Sequence, residues 1–328
     1  MSFTPIHAVR GALHACLLLA STLTLSLALL PPALLKRLLP MPAVVRGCDR
    51  ALMALAGAWV GINNVWIGGS RQTRWDVEGL DGLSPQAWYL VACNHLSAVD
   101  IFVLQRVCLG RIPFLKFFLK RELIWVPVIG MAWWALDFPF MRRGKAQGDV
   151  KRDLAAARAA CEKFRHVPTS VMNFVEGTRA TPEKRAADRS PYRHLLKPKV
   201  GGLSVVLSTM GEQFDALLDV TLVYPEGTPT FVDLLCGRMG RVVVRVQPRQ
   251  IPPDLLGMDP ATDRARLVRL GRWVEQMWRE KDALIESIQQ SAGPVETASA
   301  TALATAPATE PATAAAAPSA AAGAPPAS

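Results

Sequence analysis

From Gly11 to Leu35 the chain carries no Asp, Glu, Lys or Arg. A run of that kind must bury itself in a large protein interior or in the hydrocarbon of a bilayer. Pro31-Pro32 interrupts it after about twenty residues, enough helix to reach across a bilayer core. A second uncharged run, Ala51 to Ser70, contains Gly57, Gly61, Asn63 and Asn64 and is poorer membrane material. Lys36, Arg37, Arg46 and Arg50 lie between the two. If both runs spanned with the rest of the chain in the cytoplasm, these cations would face outward, against the positive-inside tendency. A shallow hairpin in one leaflet, with the cations at the headgroups, removes the conflict, and so does a single span. The first run is long for a cleaved signal peptide, and no small-x-small site follows it. Residues 1–73 are therefore expected to form a membrane-anchoring helical module, monotopic or single-span.

Composition narrows the partners. Of 328 residues 50% are hydrophobic, and mean hydropathy is +0.20, high for a soluble enzyme. The net charge of +10 calls for anionic partners. No basic helix interleaved with stacking aromatics and no finger motif occurs, so nucleic acid is excluded in favour of membrane lipid headgroups. Six cysteines (Cys16, Cys48, Cys93, Cys108, Cys161, Cys236) have no paired spacing. They read as reduced core thiols rather than a metal knuckle or a disulfide framework. No cofactor and no metal is expected.

Beyond residue 73, strand and helix signals alternate. Arg74–Glu78, Trp88–Ala92, Ser170–Val175, Leu217–Tyr224 and Arg241–Val246 read as strands; Asp100–Leu109 and Gln147–Phe164 read as helices. Such alternation predicts an α/β domain over 74–290, a mainly parallel sheet flanked by helices, preceded by the N-terminal membrane-embedded helical hairpin. Arg179–Lys199 is polar and proline-bearing, a mobile loop by composition. Ala261–Gln290 reads as an amphipathic helix with Leu267, Leu270, Trp273, Val274, Met277 and Trp278 facing the core. Residues 291–328 are almost entirely Ala, Pro, Thr and Ser, a disordered tail.

His95 and Asp100 stand five positions apart after Asn94. On one helix they would point about 140° apart. They meet only if a strand ends near Asn94 and a helix begins near Asp100, so that the turn folds the carboxylate back to the imidazole. An imidazole so oriented is a general base at neutral pH, the group an alcohol needs to become a nucleophile. Downstream, Glu176-Gly177-Thr178-Arg179 follows a buried strand. Glycine there lets the backbone approach a ligand, threonine offers a hydroxyl, and arginine forks onto phosphate oxygens. Glu176, itself an anion, is expected to orient Arg179 or a neighbouring amide. Both His95 and Glu176 fall at carboxyl ends of strands, where sites form in open α/β sheets.

Asn94-His95-x-Ser97-x-x-Asp100, the aromatic-rich Phe138-Pro139-Phe140-Met141-Arg142-Arg143 and Phe174-x-Glu176-Gly177-Thr178-Arg179 occur in that order. Together with Lys120-Arg121-Glu122-Leu123, Pro127 and Gly130, they resemble the glycerolipid acyltransferases, which include lysophosphatidic acid acyltransferases. The resemblance covers roughly residues 74–246 and is strongest to a proteobacterial inner-membrane branch. It implies transfer of an acyl group from acyl-CoA or acyl carrier protein to the free hydroxyl of a lysophospholipid, most simply 1-acylglycerol-3-phosphate. His95 and Asp100 would be catalytic. Glu176, Gly177, Thr178 and Arg179, with Arg143 and Lys120, would form the acceptor-phosphate site. It further implies a bacterial inner membrane with the active site facing the cytoplasm. Two departures bear on the acceptor and the chain: Val175 stands where the family usually has proline, and Val220-Thr221-Leu222-Val223-Tyr224 lacks the proline of the usual fourth motif. Acylation of another lysophospholipid (lysophosphatidylglycerol, a lysocardiolipin) is the near rival, and a non-catalytic lipid-binding protein is the rival of another class.

Overall fold

The fold was examined in a computed structural model that describes residues 5–70, 72–138, 140–141, 167–259 and 262–291. Three helices open the chain: α1 (Pro5–Ala28), α2 (Leu30–Leu38) and α3 (Pro42–Gly68). A six-stranded sheet follows, built from β1 (Arg74–Glu78), β2 (Tyr89–Cys93), β3 (Leu115–Phe117), β6 (Ser170–Phe174), β7 (Ala216–Val223) and β8 (Arg241–Arg249) in the order β1-β8-β7-β2-β6-β3. All neighbours are parallel except β7 and β8. The sheet is thus mainly parallel, as the alternating elements predict. Two short parallel strands, β4 (Leu119–Lys120) and β5 (Phe140–Met141), pair apart from it.

Every residue of β2 is buried, because this central strand is covered on both faces. One face packs under the N-terminal helices with α4 (Asp100–Cys108) and α5 (Ile129–Ala135). The other packs under α7 (Gly201–Met210) and α9 (Arg264–Ser291). Leu270, Val274, Met277 and Trp278 of α9 are buried in that second core, with Leu267 and Trp273 against it. The amphipathic face predicted for this helix therefore serves packing. Its Lys281 is also buried and reaches Asp219 of β7 at 2.6 Å.

The N-terminal helices lie along the sheet domain rather than projecting from it. At one end His14 Nδ1 donates to the Leu235 carbonyl at 2.7 Å, in α8 (Phe231–Cys236). At the other, Lys36 bonds Asp137 at 2.5 Å and Asp49 at 2.8 Å, and Arg37 stacks over Trp134. Leu29, Ala33, Leu52, Ala56, Trp66 and Ile67 join the domain's core. The remaining surface of α1 and α2 is apolar and bare, including Leu13, Leu19, Leu27 and Leu38.

Residues 179–199 are more ordered than their composition suggests. They contain α6 (Pro182–Asp188), bury Leu195 and Leu196, and donate the amides of Arg193 and His194 to Asp282. The helix expected at Gln147–Phe164 and the tail after residue 291 lie outside the described residues. So does Cys161; the other five cysteines are free thiols, all buried but Cys16.

Candidate functional site

Two side chains fix the turn that leaves β2. Asn94 clamps onto β7, donating Nδ2 to the Leu222 carbonyl and accepting the Leu222 amide at Oδ1, both at 2.9 Å. Ser97 donates to the Pro229 carbonyl at 2.6 Å and accepts the Val99 amide. Asp100 opens α4 and is wholly buried. It is not the helix cap: Val99 holds that position, and Asp100 Oδ2 instead accepts the amides of Leu96 and Ser97 at 2.6 and 2.9 Å. The same oxygen lies 2.8 Å from His95 Nδ1, and Oδ1 accepts the Tyr224 hydroxyl at 2.8 Å. Burial, and then the charge of Asp100, push the Tyr224 phenol well above its ordinary pKa, so it remains the donor. A carboxylate oxygen only accepts, so Nδ1 donates to Asp100, and in the neutral ring the lone pair is left on Nε2. The ring stacks on Phe174, with centroids 3.9 Å apart. His95 and Asp100 are thus brought together as their spacing predicts.

Glu176 is fully buried and does not touch Arg179. Its two oxygens accept one amide each, His95 N and Leu196 N, both at 2.9 Å. Of the two partners expected for it, the amide is the one it takes. Burial pushes its carboxyl up to about 7, against the pull of those two amides. Gly177 has φ +69°, a left-handed conformation that favours glycine, and the Lys199 side chain runs across it. The Ala180 amide closes back on the His95 carbonyl at 2.7 Å, which ties the two motifs into one wall. Thr178 Oγ1 accepts a bond from Lys184 at 2.8 Å. Arg179 is exposed and, among the described residues, has no carboxylate partner. Lys120 sits in β4, paired in register with Met141 of β5. Arg143, two residues beyond that strand, lies outside the described residues.

Two cavities meet at the His95 ring. A basin of about 550 Å³ is lined by His95, Asn173, Thr178, Arg179, Lys199 and Phe118. A slot of about 470 Å³ is lined by His95 and by apolar side chains, among them Leu18 and Leu25 of α1, Trp59 of α3, Phe102 and Trp133. His95 therefore borders a basin that holds two cations, Arg179 and Lys199, and a slot walled mainly by hydrocarbon. Among the described residues no group of His, Cys, Asp and Glu side chains is arranged to hold a metal ion. Sequence reasoning missed Tyr224 as the partner of Asp100, Lys199 as a wall of the basin, and Phe174 as the platform under His95. Only Tyr224 carried a signal, a hydroxyl-bearing residue closing a mainly apolar strand.

The family described as Acyltransferase matches residues 74–225. Among curated proteins the chain is 28% identical to lysocardiolipin acyltransferase 1 of Danio rerio over 225 residues, 64% of this chain and 55% of that protein. It is 28% identical to 1-acyl-sn-glycerol-3-phosphate acyltransferase 3 of Arabidopsis thaliana over 215 residues, 60% of this chain and 52% of the other. A third relative, 1-acyl-sn-glycerol-3-phosphate acyltransferase gamma of Mus musculus, is 26% identical over 212 residues, 61% of this chain and 53% of the relative. The chain spans about half the length of the curated relatives it matches. The crystal structure of the 1-acyl-sn-glycerophosphate acyltransferase PlsC from Thermotoga maritima superposes with a TM-score of 0.50 at 16% identity, covering 82% of this chain and 96% of that one. That likeness concerns the fold.

Proposed function

We propose, from the match of residues 74–225 to the family described as Acyltransferase, that the protein moves a fatty acyl group from a thioester donor to the free hydroxyl of a lysophospholipid. The favoured acceptor is 1-acylglycerol-3-phosphate, which would become phosphatidic acid. The observation that carries this reading is the position of His95 between a basic basin and an apolar slot. A phosphate monoester suits Arg179 and Lys199, and an alkyl chain suits the slot.

In this mechanism His95 Nε2 takes the proton of the acceptor hydroxyl as its oxygen attacks the thioester carbonyl carbon. The C–O bond forms, the C–S bond breaks, and the leaving thiolate takes the proton back from the imidazolium. Asp100 stabilises that imidazolium, and its four donors hold it in place. Glu176 positions the His95 backbone, and Arg179, Thr178 and Gly177 hold the phosphate, with Arg143 and Lys120 as further contacts. The donor, acyl-CoA or acyl carrier protein, is acidic in either form and suits a basic surface. No cofactor enters.

His95→Ala tests the reading: transfer from an acyl thioester should fall by more than about a thousandfold while membrane association persists. Normal transfer by a folded variant would remove the general-base assignment. A panel of lyso-acceptors with one donor then separates 1-acylglycerol-3-phosphate from its rival, which the similarity to a lysocardiolipin acyltransferase keeps alive. Absence of transfer to every acceptor by the wild type would favour the non-catalytic lipid-binding alternative.

Two long apolar helices support membrane association. Because the helices are fastened to the sheet domain at His14 and again at Lys36, they favour monotopic seating in one leaflet over two spans. With free, buried thiols suited to a reducing compartment, this agrees with the cytoplasmic face of a bacterial inner membrane.

A further inference from the structure

One cavity beside the sheet takes no part in the proposed reaction. It holds about 630 Å³ between α3, the end of α4 and the segments that lead into β2, β3 and β6. Those segments (Pro85 and Gln86, Pro113 and Phe114, Val167 and Pro168) precede the amino ends of parallel strands, whereas His95 follows the carboxyl end of β2. The length of that strand, about 17 Å, lies between these two ends, although Gln105 and Phe114 line both this cavity and the slot beside His95. Met53, Val60, Ile112, Phe114 and Leu115 give this cavity an apolar floor. Its rim carries Arg46 and Arg50, one helical turn apart on α3. Neither arginine has a carboxylate partner among the described residues; Asp49, which lines the same cavity between them, is bonded by Lys36 at 2.8 Å.

We propose that this groove is a second lipid site, which holds one anionic bilayer phospholipid by its phosphate and the upper part of one acyl chain. Charge and location both favour that occupant. Two unpaired guanidiniums above an apolar floor match a headgroup phosphate with hydrocarbon attached. The bare tip of the hairpin, with Leu38, Leu39 and Met41 exposed, lies just before α3. At 1.5 Å per residue, Arg46 and Arg50 stand only about 7 and 13 Å along the helix from Met41. If the tip enters the leaflet, both reach the headgroup layer and the groove opens toward it. The site would seat the enzyme on anionic membrane, and its lining includes none of His95, Asp100, Glu176, Arg179 and Lys199.

Two perturbations of different kind separate a groove from diffuse surface charge. Arg46→Gln with Arg50→Gln removes the cations. Gly57→Leu fills the groove and keeps them, since a Cβ at Gly57 meets nothing within 4 Å. Full-length protein in maltoside micelles is titrated with dioctanoyl phosphatidylglycerol or phosphatidylcholine, and bound lipid is counted by native mass spectrometry. Arg179→Ala is present throughout, so that lipid held beside His95 is not counted. Melting temperature certifies folding, with Gly57→Val in reserve should the leucine variant not fold. The proposal expects phosphatidylglycerol, not phosphatidylcholine, to bind the parent, and each change to weaken binding at least about tenfold. Undiminished binding by the groove-filled protein would mean diffuse charge attraction. Equal binding of the two lipids would mean no selection for a net anionic headgroup, and no binding by the parent would mean no site. Each of these overturns the proposal.

Discussion

Glu176→Gln removes one titration from the interior of the site and leaves the shape of the side chain nearly unchanged. With its carboxyl pushed up by burial from 4.5 to about 7, the folded protein holds a proton between those pH values that the unfolded chain releases. Stability therefore falls as pH rises through that window, by about 1.4 kcal/mol per pH unit, and is flat on either side. Across the window the loss is about 3 kcal/mol, and glutamine has no such loss. Glutamine carries its own cost, which does not depend on pH: it has one oxygen for the two amides of His95 and Leu196, so one N–H faces an NH2 group, for roughly 1–3 kcal/mol. The variant should be the less stable protein at pH 5, and the gap should close or reverse by pH 8. Urea unfolding of both proteins in detergent at four pH values measures the difference of differences, in which groups common to the two cancel. A gap that stays constant from pH 5 to pH 8 would refute the raised carboxyl and the reasoning built on its burial.

Tyr224→Phe leaves Asp100 Oδ1 without its donor while Oδ2 still holds His95; kcat should drop about tenfold with little change in KM, and steady-state kinetics at saturating donor reads both. Arg179→Ala should raise KM for a phosphate-bearing acceptor far more than for the thioester, a loss of roughly 2–4 kcal/mol; an equal effect on both substrates would make the arginine structural. A single cysteine beside Arg46, in a protein lacking its native cysteines, should resist an impermeant thiol reagent applied to intact cells; ready labelling would establish two full spans.

The parts of this fold that can be read from the chain are those whose burial repeats over several residues. Tyr89–Cys93 is an uninterrupted apolar run and Ala216–Val223 a buried one broken only by Asp219 and Thr221, because both faces of their strands are covered, and α9 displays a stripe along 28 residues. Three-residue β3, seven-residue α5 and six-residue α8 are too short to develop a period, and tertiary packing alone selects them. The site divides in the same way. His95 and Asp100 meet across five residues, within reach of local reasoning. Tyr224 reaches Asp100 across 124 residues and Asn94 reaches Leu222 across 128, contacts that exist only once the sheet has assembled. The order in residues 179–199 escaped composition for a similar reason: Asp282, far along the chain, supplies the acceptors for its amides.

Leu18 and Leu25 stand on the helix proposed to seat the protein in the bilayer, and they also wall the slot beside His95. On the proposed function, anchor and substrate gauge are thus one piece of polypeptide. A change that alters how deeply the helix sits also alters the bore of the slot, so selection cannot adjust attachment and chain preference separately. Cutting the protein at residue 73 to obtain a soluble catalytic fragment would remove one side of the channel along with the anchor.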